Sequence, residues 1–79
     1  MDIRKLNAAY KEIVDLERDL REAQFNLAAA RIRLEGEPLS YADWDSTSRM
    51  LIQSNAKVNR ITQRIKILKG RVHFEASTL

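Results

Sequence analysis

Seventy-nine residues with a net charge of +3, 44% of them hydrophobic and 32% charged, set out one small domain. A chain of this size buries only ~60% of the surface its unfolded form exposes, so it needs a support beyond its own core. Cysteine is absent, which removes disulfide staples and thiol redox chemistry; the one histidine, His73, lacks the companions of a metal site, and oligomerisation is the support that remains.

The chain begins Met1-Asp2-Ile3-Arg4-Lys5, a charged stretch with no apolar segment behind it, so no targeting peptide is expected. No uninterrupted apolar run approaches the ~18 residues of a membrane span, and a cytoplasmic protein with no membrane contact is the expectation. From about Ile3 to Glu35 the chain is free of Gly and Pro and rich in Ala, Leu, Glu and Arg, all strong helix formers. Within it Leu6, Ile13, Leu20, Leu27 and Leu34 recur every seven residues, which predicts a helix with one apolar stripe.

Residues 36–40, Gly-Glu-Pro-Leu-Ser, hold the single proline. Gly36 suits a left-handed position just past the last turn, and Pro38 forbids continuation. Ser40 is the expected N-cap of a second helix, with Asp43 three residues on favouring the positive end of its dipole. Leu39 and Trp44 stand at the spacing of a hydrophobic staple.

The second helix, about 41–76, repeats the pattern with Trp44, Leu51, Val58, Ile65, Val72 and Leu79. It is expected to run through Gly70, because Val72 keeps the heptad, and to fray near Ala76. Two such stripes joined by a five-residue turn predict an all-α fold, a two-helix antiparallel coiled-coil hairpin, forming one domain over residues 1–79. The register that best matches volumes sets Ala30 on Leu51, Leu27 on Ser54, Ala23 on Val58 and Ile13 on Leu68, large against small near the turn. Beside that seam it brings Glu12 to Arg71 and Asp19 to Arg64, both complementary.

Several apolar residues fall off the stripes. On the first helix these are Phe25, Ala29 and Ile32, at spacings of four and three; on the second they are Met50, Ile52, Ile67 and Phe74. Single exposed apolar residues are ordinary on protein surfaces. A contiguous set at helical spacing points instead to a second interface. Its simplest use is dimerisation of the hairpin into a four-helix bundle, and docking on another protein is the other use.

Charge is unevenly spread. Residues 1–45 carry seven Lys/Arg against ten Asp/Glu, and residues 46–79 seven against one. The basic run offers Arg49, Lys57, Arg60, Lys66 and Lys69 as candidate phosphate contacts, the basis of an alternative reading as a nucleic-acid-binding accessory protein. Helical spacing scatters these cations round the helix, and no recognition-helix or RNP pattern accompanies them, so a solvated, internally compensated face is the plainer reading.

Nothing in the pattern names a reaction. His73 has no orienting partner in sequence, and a hairpin offers no pocket that excludes water. The acidic group Glu12, Asp15, Glu17, Asp19, Glu22 is interleaved with Arg18 and Arg21, which favours ion pairs along the helix over metal ligation. The sequence therefore reads as a non-enzymatic protein–protein interaction module, a small adaptor, inhibitor or regulatory factor. It is expected to use no cofactor or small-molecule substrate and to partner itself, another protein or both.

Overall fold

The computed structural model describes residues 3–77, and within them the chain forms two helices, α1 (Ile3–Gly36) and α2 (Tyr41–Ser77). A helix of α1's length is about 50 Å long. The molecule measures 58 × 16 × 14 Å, so the two helices lie side by side rather than end to end. Ile13 near the start of α1 packs with Leu68 and Val72 near the end of α2, which makes the pair antiparallel. This is the all-α helical hairpin that the two heptad stripes predict.

The turn is built as its residues dictate, with one difference. The Ser40 side-chain oxygen accepts the Asp43 N–H at 3.2 Å, and the Ser40 carbonyl accepts the Trp44 N–H at 2.8 Å. That is an N-cap followed by the first helical bond, an arrangement of the kind worth ~1 kcal/mol. Gly36 does not take the left-handed conformation expected of it: among the described residues no glycine has a positive φ. Instead α1 continues through Gly36, and the Glu37 N–H still reaches the Arg33 carbonyl at 3.3 Å. Pro38, which has no N–H to donate, is what ends the helical pattern. Only residues 37–40 connect the helices.

Among the described residues, the nine buried side chains all sit on the two heptad stripes or on the second seam row between their turns. They are Ile13, Ala23, Leu27 and Ala30 of α1 and Thr47, Ile61, Ile65, Leu68 and Val72 of α2. Leu6, Ala9 and Leu16 close round Ile13, Leu68 and Val72 in one apolar cluster at the end away from the turn. Toward the turn Leu27, Ala30 and Thr47 are buried, while Leu34, Leu51 and Ser54 are half-buried. Trp44, expected in the seam, is outside it: it is 51% exposed and stacks on Tyr41 with ring centroids 6.2 Å apart. Thr47 is the first buried α2 residue after the turn, so the seam begins there. Leu79 lies outside the described residues.

The ion pairs across the seam use the expected flank with a displaced partner. Arg64 Nη2 is 3.2 Å from Glu12 Oε1, where the volume-matched register put Asp19 beside Arg64. Glu12 shares a shallow depression with Leu68, Arg64 and Arg71, so arginines one heptad apart both lie on its side. Asp19 turns instead to Arg18 at 3.7 Å. A second bridge, Lys69 to Glu17 at 3.8 Å, joins the opposite flank. All these side chains are substantially exposed, and such pairs contribute ~0.2–1 kcal/mol each. They favour one orientation of the helices more than they hold them together.

Gly70 lies inside α2 and the helix passes it without a break, as the heptad phase of Val72 requires. A side-chain carbon added there would meet no neighbouring atom within 4 Å.

Candidate functional site

A hairpin buries one stripe of each helix and leaves the remainder in water, so the candidate surfaces are the outward faces. Phe25 and Ile32 are 74% and 70% exposed. They stand seven residues apart, about 10 Å along α1, on the side opposite the seam. Ala29 lies between them on one shoulder and Ala28 on the other, both exposed. The sequence-predicted trio is therefore brought together as one ridge on the back of α1, beyond the reach of α2.

The α2 candidates do not join that ridge. Met50, Ile52, Ile67 and Phe74 are all exposed. Ile67 and Phe74 share one line of α2, seven residues apart, toward the end away from the turn. Met50 falls on the same side of the helix but near the turn, and Ile52 on the opposite shoulder. Four apolar residues in three places make no continuous surface. The predicted set thus divides into one coherent ridge on α1 and separate positions on α2.

A further apolar edge went unnoticed in the sequence reading. Ile3, Tyr10 and Val14 are exposed and fall on one edge of α1 at spacings of seven and four. The signal was present, since those spacings recur at every helical edge. It was masked because Ile3 and Tyr10 sit among charged residues. Tyr41, at 81% exposure the barest large hydrophobic side chain among the described residues, stacks on Trp44 at the turn.

Of the cations of α2, three are paired with carboxylates: Arg49 with Asp45 at 3.2 Å, Arg64 with Glu12 and Lys69 with Glu17. Lys57, Arg60, Lys66 and Arg71 form no ion pair among the described residues. Helical spacing puts Lys57, Arg60 and Arg71 along one side of α2 and Lys66 on the other. Of the five candidate phosphate contacts, two are thus engaged and three are split between two sides.

The surface has depressions rather than clefts. The larger, about 500 Å³, is lined by Asn59, Arg60, Gln63, Arg64 and Ile67, all from α2. A hollow formed by one helix has a floor and no facing wall, so it cannot desolvate a small ligand. Among the described residues no three His, Asp or Glu side chains converge as metal ligands would, and no helix is long and apolar enough to cross a membrane. In comparisons with known proteins, no family model, curated protein or solved structure matches the chain.

Proposed function

We propose that this chain is a non-enzymatic protein–protein interaction module, a small adaptor, inhibitor or regulatory and assembly factor. It works through the outward faces of the hairpin in a cytoplasmic setting, with itself, another protein or both as partner. The observation that supports this reading is the ridge of Phe25, Ala28, Ala29 and Ile32. It pairs two large, bare apolar side chains with small neighbours that let another helix approach. Burying a Phe or Ile side chain is worth ~1.5–3 kcal/mol. Two per chain are of the size a micromolar dimer needs.

Sedimentation of the wild type beside a Phe25→Glu, Ile32→Lys double variant tests the reading. The wild type should sediment above monomer mass at high micromolar concentration, and the variant should return to monomer while keeping its helicity. Equal behaviour of the two would remove the ridge from any role in assembly.

The second reading, a nucleic-acid accessory protein, has one observation in its favour: Lys57, Arg60, Lys66 and Arg71 have no carboxylate partner among the described residues. Salt separates the two. Phosphate contacts give an affinity that falls steeply with log salt, whereas an apolar protein interface responds little.

A further inference from the structure

Two copies related by a two-fold axis perpendicular to their matching helices pack those helices antiparallel, whereas an axis along the helices would set Glu22 on its own copy, so the back of α1 is set against itself antiparallel, residue by residue. We propose that the Phe25 ridge is the interface between two copies of this chain, α1 against α1, with the axis passing level with Leu27. This rests on the reading of the ridge as a protein-docking surface and specifies its occupant and register.

The register is fixed by volume and by charge independently. Setting Phe25 of one copy on Ala29 of the other repeats the large-on-small matching of the hairpin's own seam. Ile32 then lies along the aliphatic stem of the partner's Glu22. On one shoulder Arg21 meets the partner's Glu35, with Ala28 facing its own copy. On the other, Asp19 meets the partner's Arg33, with Asn26 facing its own copy. Each pair occurs twice by symmetry, giving four opposite-charge pairs and no like-charge pair.

The hairpin itself shows that an arginine beside a helical seam can take the carboxylate one heptad from the one facing it, as Arg64 does with Glu12. At this interface that freedom creates no like-charge pair. The alternative to Glu35 for Arg21 is the partner's Ala28, and the alternatives to Asp19 for Arg33 are the partner's Asn26 and Glu12, the latter also of opposite charge. Sliding the copies by a heptad puts Phe25 on Gly36 with neither kind of pair, or on Glu22 with only Glu12 and the partner's Arg33 left as a pair. Rolling the contact onto the Ala28 shoulder keeps only Arg18 with Glu35.

The groups are available for this use. Arg21 and Glu35 are exposed and make no ion pair among the described residues. Asp19 and Arg33 are held only by exposed contacts at 3.7 Å to Arg18 and Glu37. Because the ridge is opposite the seam, the four helices lie in a row, α2–α1–α1–α2, rather than in a square bundle. Ile67 and Phe74 of α2 then remain outside the interface.

Charge reversal is the decisive experiment. Arg21→Glu alone and Glu35→Arg alone each set like charges against each other twice per dimer and should raise the dimer dissociation constant roughly tenfold. An equimolar mixture of the two variants should recover wild-type assembly, since each then offers the charge the other lacks. In this cysteine-free chain, Asn26→Cys should also be joined to its own copy by a short bis-maleimide, and Gln63→Cys on the outside of α2 should not. A monomeric wild type, or a mixture no better than its components, or equal joining at positions 26 and 63 would each overturn the proposal. If the Phe25→Glu, Ile32→Lys variant dissociates while the charge variants behave as wild type, the ridge is an interface in a different register. If neither set has any effect, the ridge has no part in assembly.

Discussion

Leu68 is 2% exposed and sits in the apolar cluster of Ile13, Val72, Leu6, Ala9 and Leu16. With nine side chains buried among the described residues there is little core to spare, and none of the nine is a large residue buried completely. Truncating Leu68→Ala should therefore cost ~2–5 kcal/mol, the penalty of a lost apolar group plus the cavity left behind. A urea melt followed by circular dichroism would measure it. A loss of a few tenths would mean that the two helices close over the gap. Trp44 marks where residue-level reading failed. Its heptad position gave it a place in the seam, but the facing position is Glu37, past the end of α1, and it stacks on Tyr41 instead. Periodicity says which way a side chain points, not whether the neighbouring helix is still beside it.

Each helix followed from local pattern, because propensity, heptad phase and the Ser40 cap all agree. Gly36 did not follow. A left-handed glycine is a common way to end a helix, and here Pro38 two residues on does the ending, so Gly36 stays helical. Gly70 tests the same physics in the opposite direction. It is an exposed glycine inside α2 with open space where a side chain would go. Gly70→Ala should stabilise the protein by ~0.5–1 kcal/mol, by narrowing the unfolded ensemble and favouring the helix. Thermal unfolding gives the sign directly: a melting temperature that falls would place Gly70 against something the hairpin alone does not contain.

For the whole molecule, the antiparallel hairpin was readable because two stripes of matched length flank one short turn. The choice among ion-pair partners was not, since Arg64 and Arg71 both flank Glu12 and heptad counting cannot rank two arginines on one flank. The register has its own check. Cysteines at Ala23 and Val58 should form a disulfide within one chain, because the volume-matched register sets these positions in one layer. A crosslink appearing only between chains would show that the two stripes meet in different molecules. The candidate ridge was legible as a spacing, Phe25, Ala29, Ile32, but its self-complementary flanks emerge only once the back of α1 is known to be bare.

The position of the tight cluster round Ile13, Leu68 and Val72 has a kinetic consequence. A chain that reverses through four residues brings the turn-proximal layers together first, because they close the smallest loops. Those layers carry less apolar volume, setting Leu34, Leu51 and Leu27 on the small residues Thr47, Ala30 and Ser54. The strongest packing is thus reached last on the way in and must be broken first on the way out. Interactions absent from the transition state act on the unfolding rate rather than the folding rate. The cluster therefore works as a clasp, setting how long the closed hairpin lasts rather than how fast it forms.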